Sequence, residues 1–231
     1  MADGLQAVIL DLDGVLIESE EVWAEVKEGL VRERGGRWPP GAVRAMQGMS
    51  SPEWSRYMAD ELGVPMPAAA ISEEVVARVA ARYRADLPLL PGAAAAVRRL
   101  AGRWPLALAS SANRPLIDLV LERAGLAGVF SVTVSSEEVA RGKPAPDVYL
   151  KAAARLGAEP GRCAAVEDSA NGIRSALAAG MRVVAVPNRS YPPPAEVLEA
   201  VDLVLPALDE LTVQTLERLP TRANGTATGS A

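Results

Sequence analysis

Short apolar runs recur along the chain, each closing in polar residues: Ala7–Leu10, Pro105–Ala109, Val129–Val134, Cys163–Val166, Val183–Val186 and Val201–Leu205. None of them alternates apolar with polar positions. A strand with one wet face alternates, whereas a strand covered on both faces reads as a continuous apolar run, as in a parallel sheet. Between the runs the period becomes helical. Leu116, Leu119, Val120 and Arg123 repeat at helical spacing ahead of Gly125, and Ile173 and Leu177 share one face ahead of Gly180. Both glycines are expected to end their helices, since glycine enters the left-handed conformation without a steric penalty. Alternating strands and helices predict an α/β fold, a doubly wound Rossmann-like parallel sheet.

Residues 18–84 break this alternation, with helix patterns and no strand pattern. Val22, Trp23, Val26, Leu30 and Val31 form one stripe, Trp54, Met58 and Leu62 a second, and Ile71, Val75, Val79 and Tyr83 a third. Ser50-Ser51-Pro52-Glu53 predicts a helix start with a capping box, and Ser72 is the expected N-cap of the third helix. The plain reading of the stripes is helix packing; their position carries more information. Ligands of open α/β sheets sit beyond the carboxyl ends of the strands. An all-helical insert leaving from the end of the first strand would hang over that site as a lid. The expected organisation is therefore a core of residues 1–17 and 85–220, a helical cap over 18–84, and a small, polar, frayed tail over 221–231.

Composition narrows the chemistry. Among 231 residues, 49% are hydrophobic and 23% charged, enough for a buried core, and the net charge of −5 comes without a basic stretch for nucleic acid or an anionic membrane. One cysteine permits neither an internal disulfide nor a thiolate cluster and suits a reducing compartment. Histidine is absent altogether, which removes Ser-His-Asp and Cys-His triads, His-ligated zinc and imidazole acid–base catalysis. No basic region precedes the first apolar run, as a signal peptide would require, and no uncharged run is long enough to span a bilayer. The cytoplasm is the expected location.

Carboxylates gather at the predicted strand ends. The first strand closes Leu10-Asp11-Leu12-Asp13-Gly14, and side chains two apart in an extended segment point to one side. Two like charges held close need a cation or a proton; the plain alternative is a polar strand end with an ordinary Asp-Gly turn. The run at Cys163 closes Val166-Glu167-Asp168-Ser169, where Asp168 or Ser169 could equally cap the next helix. Asp11, Asp13, Glu167 and Asp168 together offer oxygen ligands at one sheet edge, and Mg²⁺ is the cation that suits them. Ser110, ending another run, can bond a phosphoryl oxygen or simply cap a helix. Lys143, in Gly142-Lys143-Pro144-Ala145-Pro146-Asp147, can balance the carboxylates or stand in solvent. Pro192-Pro193-Pro194 reads as a stiff loop between the fifth and sixth strands. No Gly-x-Gly-x-x-Gly follows the first strand, so a nucleotide dehydrogenase finds no support.

These motifs, in this order, resemble the haloacid dehalogenase superfamily of aspartate-nucleophile phosphotransferases. Asp11-Leu12-Asp13-Gly14-Val15 matches its first motif, Ser110 the second, Lys143-Pro144 the third and Glu167-Asp168 the fourth, and the insert resembles the family's C1-type cap. Asp11 through Glu20 and Val166-Glu167-Asp168-Ser169-Ala170-Asn171-Gly172 are similar to the beta-phosphoglucomutase-like branch. The resemblance implies Asp11 as nucleophile, forming an aspartyl-phosphate, and Asp13 as the acid and then the base. It implies Mg²⁺ on Asp11, the carbonyl of Asp13 and Asp168, with Glu167 beside it or behind it. Ser110, Lys143 and the amide of Leu12 would hold the phosphoryl oxygens, and Asn113 would touch substrate or phosphate. Specificity would lie in the cap loop Gln47–Ser51, Gly48 included.

A Mg²⁺-dependent phosphatase acting on a small sugar or polyol phosphate is the expected function, with a monomer sufficing. A beta-phosphoglucomutase-type mutase and a non-catalytic binding module are the alternatives. The module is disfavoured because every expected polar position is filled, and a dehalogenase because Asp13 is present. Against the mutase, the resemblance places Trp23 where those enzymes carry a cap histidine and Ser51 where they carry the arginine for a distal phosphate; Arg44 and Arg56 lie near enough to substitute.

Overall fold

The computed structural model describes residues 4–46, 49–188 and 191–220; the expected tail and Gly48 lie outside them. A parallel sheet is built from β1 (Ala7–Leu10), β2 (Leu106–Ser110), β3 (Val132–Ser135), β4 (Cys163–Glu167), β5 (Arg182–Ala185) and β6 (Leu203–Val204), in the order β3-β2-β1-β4-β5-β6. The helices are α1 (Glu20–Glu33), α2 (Ala42–Met46), α3 (Ser51–Asp60), α4 (Ala68–Ala85), α5 (Ala93–Ala101), α6 (Arg114–Arg123), α7 (Asp147–Leu156), α8 (Ala170–Ala178), α9 (Ala195–Leu198) and α10 (Val213–Glu217).

The runs of β1, β2, β4 and β5 are buried on both faces, as their pattern requires; the edge strands depart from it, β3 being only partly buried, with Ser131 and Thr133 interrupting its run, and Val204 of β6 being exposed. The pleat sends Val8, Leu10, Leu106, Leu108, Ala164 and Val166 to one face, and Ala7, Ile9, Ala107, Ala109 and Ala165 to the other. The second face is rich in alanine, and α7 and α8 lie close on it. The chain order reverses at β1, with β2 and β4 on its two sides. Such a switch point leaves a crevice beyond the strand ends, and the chemistry-bearing residues stand there.

Four helices, α1 to α4, separate β1 from α5. Where the chain leaves and returns, its two passes touch: the Glu18 amide donates to the Pro88 carbonyl at 2.8 Å and the Leu90 amide to Leu16 at 2.9 Å. The capping box forms, with the Ser50 amide donating to Glu53 at 2.7 Å. Ser72 is not an N-cap. α4 begins at Ala68 behind Pro67, because proline presets a helical φ and the alanines that follow propagate a helix upstream of the apolar stripe. β3 starts at Val132 rather than Val129 because the Val129 amide closes a turn onto the Leu126 carbonyl.

Candidate active site

Each strand end delivers its polar residues to one place. The Asp11 amide donates to the Val166 carbonyl at 3.0 Å, which ties the end of β1 to β4. The chain then turns, with the Gly14 amide donating to the Ile17 carbonyl at 2.8 Å. Gly14 has φ +75°, and a Cβ there would fall 1.8 Å from Asp168 Oδ2. Both facts demand glycine: the conformation is left-handed, and the carboxylate occupies the space of a side chain.

Carboxylate oxygens of Asp11, Glu167 and Asp168 lie within 4.8 Å of one another, all three residues being buried. Lys143 Nζ joins them, 3.0 Å from Asp11 Oδ1 and 2.6 Å from Glu167 Oε1. Glu167 is the most committed of the group. The Tyr149 hydroxyl donates to Oε1 at 2.6 Å, and the Asp168 amide and Ser169 hydroxyl donate to Oε2, each at 3.2 Å. A Cβ on Gly172 would stand 1.9 Å from Glu167 Oε1, so the first turn of α8 has room for this carboxylate only because that position is glycine.

Burial raises the Asp11 pKa to about 8, with Glu167 and Asp13 adding to the effect against the pull of Lys143. Asp168 is also pushed up, by burial first and then by Glu167 and Asp11. Burial opposes the Lys143 charge, but Asp11 and Glu167 outweigh it and hold the ammonium firmly protonated. One lysine thus faces three carboxylates. The shortfall of positive charge, and a donor set made only of carboxylate oxygens, fit a hard divalent cation.

Asp13 stands outside this cluster. Burial raises its pKa, while hydrogen bonds from the Ser19 and Ser110 hydroxyls act the other way. Ser110 is fully buried at the end of β2 and accepts the Ala112 amide at 3.0 Å. Leu12 turns its side chain into the core, which leaves only its amide for a ligand. Asn113 does not have a free amide: its Nδ2 donates to Glu137 at 2.6 Å, and its Oδ1 accepts from Ser51 at 3.4 Å, across from the helical segment. Ser19, Tyr149 and Gly172 belong to the site although sequence reasoning passed over them as functional groups. Tyr149 had a signal, six residues beyond Lys143 and just past the end of its motif. A cavity of about 540 Å³ lies between the strand ends and the helical segment, with Asp11, Asp13, Lys143 and Asp168 on one side and Trp23 and Lys27 on the other. Cys163 takes no part: it is buried in β4, and burial pushes its thiol up to about 12.

A buried carboxylate cluster with a lysine, and a second carboxylate held by hydroxyls, at the switch point of a parallel sheet, suit a hydrolase of the α/β class built around aspartate. The chain belongs to the haloacid dehalogenase-like hydrolases, whose family model matches residues 5–180, within their beta-phosphoglucomutase-like branch. It is 31% identical over 209 residues to the bifunctional riboflavin kinase/FMN phosphatase of Arabidopsis thaliana, covering 90% of this chain but spanning only 54% of that protein. Hexitol phosphatase B of Escherichia coli K12 is 33% identical over 217 residues, 91% of this chain and 96% of that protein. The crystal structure of CbbY from Rhodobacter sphaeroides in complex with phosphate superposes with a TM-score of 0.82 at 26% identity, covering 92% of this chain and 99% of that one. Among the described residues no helix is long and apolar enough to cross a membrane.

Proposed function

We propose that this chain is a phosphatase that hydrolyses a small phosphomonoester, a sugar or polyol phosphate, through an aspartyl-phosphate on Asp11. The observation that carries this reading is the Asp11 carboxylate, buried at the sheet edge with Lys143 Nζ 3.0 Å away and Asp168 and Glu167 beside it. Asp11 attacks phosphorus as the bond to the alcohol oxygen breaks, and Asp13 gives its proton to that oxygen. Water then attacks the aspartyl-phosphate, its proton passes to Asp13, and inorganic phosphate leaves. Lys143 and Ser110 neutralise and position the phosphoryl oxygens. Asp11, Asp168 and the Asp13 carbonyl would hold Mg²⁺, which when bound supplies Lewis-acid polarisation of the phosphoryl group. Glu167, its oxygens already taken, orients Lys143 from behind.

We take residues 18–84 as the cap and 1–17 with 85–220 as the core, the two joined where Glu18 meets Pro88. Ser51 and Asn113 meet across that division and suit a cap closed over substrate, excluding water until the ester is cleaved. A cytoplasmic monomer acting on a small metabolite completes the reading, with no nucleic acid or membrane involved.

A panel of phosphomonoesters with Mg²⁺, ranked by kcat/KM from released phosphate, tests the proposal; no release from any of them would refute it. The mutase alternative would need a grip on a second phosphate at Ser51, whose hydroxyl is instead spent on Asn113. Phosphorus NMR of a hexose 1-phosphate primed with a bisphosphate should show free phosphate. A dominant 6-phosphate signal would reverse the choice.

A further inference from the structure

The third helical stripe ends in a residue that is not apolar at its tip. Tyr83 lies in the last turn of α4 and is buried, yet its hydroxyl makes no hydrogen bond of ordinary geometry. A buried hydroxyl left unpaired costs stability, so its presence calls for a reason. The polar groups it faces are the Ser19 hydroxyl, the Trp23 indole N–H and the Asp13 carboxylate. Asp13, Ser19 and Trp23 line the cavity, whereas Tyr83 stands behind them, where α4 packs on α1.

Ser19 is the unusual member of this group. It precedes α1 at the N-cap position, where a serine ordinarily accepts an amide from the first turn. Here its side chain makes no such bond. The hydroxyl is buried and bonds to Asp13 instead. A serine hydroxyl carries one proton and two acceptor lone pairs. With the proton given to Asp13, the lone pairs remain for Tyr83. Burial first, and then the charge of Asp13, raise the Tyr83 pKa, so the phenol keeps its proton and can only donate toward Ser19. The chain holds no histidine, and hydroxyls rather than an imidazole therefore orient this carboxylate.

We propose that Tyr83 is a positioning residue for the acid–base step, its hydroxyl donating to Ser19 Oγ and so holding the Ser19 proton toward Asp13. The inference rests on the phosphatase reading and extends its machinery to α4, which touches no substrate. The unpaired phenol gains by closing this contact. Closing it draws Ser19 away from the α1 amides that it would otherwise cap.

Tyr83→Phe removes the oxygen and keeps the ring. The test reads kcat/KM with Mg²⁺ for the alkyl phosphate that the panel ranks highest and for p-nitrophenyl phosphate. This quantity ends with departure of the alcohol, the step in which Asp13 acts as acid. An alkoxide needs that proton, and a nitrophenolate leaves without it. Tyr83→Phe should lower kcat/KM about tenfold for the alkyl ester and less than about threefold for the nitrophenyl ester, a fraction of what a positioned acid contributes. Ser19→Ala should show the same selectivity, and the double variant should be no worse than Ser19→Ala alone, because the tyrosine acts through the serine. The Tm of Tyr83→Phe should equal or exceed that of the parent, since an unpaired buried hydroxyl is gone. Equal losses on the two esters would show a packing role and overturn the inference. So would an alkyl-ester value within about twofold of the parent, or losses that multiply in the double variant. In each of these cases hydrolysis by the parent leaves the phosphatase reading standing. If the parent releases phosphate from no alkyl ester, that reading fails first, and this role, which presupposes it, fails with it.

Discussion

Gly172→Ala should disable the site through a single methyl group. On propensity alone the change ought to help, because alanine in a helix is favoured over glycine by about 1 kcal/mol. Gly172 lies in the first turn of α8, and no left-handed φ requires a glycine there. The obstacle is the Glu167 carboxylate, all three of whose terminal atoms would lie within 2.0 Å of the new Cβ. That carboxylate cannot swing into solvent. It is fully buried and accepts from Lys143, Tyr149, the Asp168 amide and Ser169. Moving it gives up at least two charge-assisted bonds, each worth about 1.5–3 kcal/mol. The net loss after the helix gain is roughly 2–5 kcal/mol, a drop of about 4–20 °C in Tm for a chain of this size. Lys143 loses the partner at 2.6 Å that aims it at Asp11, so kcat should fall by about a hundredfold, with far-UV circular dichroism unchanged below the transition. Phosphate release and a thermal melt on the same preparation read both effects. A Gly172→Ala protein as active as the parent and melting higher would show that Glu167 moves freely, and the account of the Lys143–Glu167 pair would fall with it.

Asp11→Asn should fold and bind but release no phosphate, since an amide is no nucleophile toward phosphorus; turnover by this variant would sink the proposed mechanism. Asp13→Asn should lose most turnover yet accumulate phosphorylated Asp11 from an activated ester, visible as an 80-dalton mass increase expected for one added HPO₃ (about 80 Da by covalent chemistry). Chelation with EDTA should abolish activity and Mg²⁺ restore it, while Ca²⁺ should inhibit because its longer, looser coordination suits the carboxylates without holding a compact geometry; activity that survives exhaustive chelation contradicts this. Glu138 supplies a pH test away from the site. Burial would raise its pKa, but the Ser135 amide, Arg114 and Arg155 outweigh burial and bring it down to about 2 from 4.5. A depressed carboxyl stabilises the fold above its unfolded pKa and loses that contribution as pH falls through the folded value. Glu138→Gln should therefore be less stable than the parent at pH 7, by about 1 kcal/mol once solvent screening of this partly exposed group is allowed for, and urea midpoints of the two should converge between pH 4.5 and pH 2.

The legible part of this molecule is the part whose cause lies along the chain. A strand covered on both faces must be apolar throughout, so the central strands β1, β2, β4 and β5 appear as runs, and the polar residues that close those runs fall at the sheet edge by geometry alone. Asp11, Asp13, Ser110, Glu167 and Asp168 were accessible for that reason. Lys143 follows no strand and needed the surrounding Gly-Lys-Pro-x-Pro-Asp pattern. What stayed hidden depends on partners brought together from different elements. Asn113 looks like a free amide at a strand end, but Glu137 and Ser51 occupy it, and nothing at position 113 announces either. Gly172 reads as one more small residue in an alanine-rich helix until the Glu167 carboxylate is placed where its Cβ would be. Lys27 is subtler, because it flanks an apolar stripe on α1 just as a solvated lysine would. Only when α3 brings Trp54 against Trp23 does its ammonium become a cation held over two rings without an oxygen partner. A catalytic constellation repeats its local pattern wherever the same chemistry is done. A contact made between elements has no such local pattern, and its meaning resides in the packing of helices rather than in any one of their sequences.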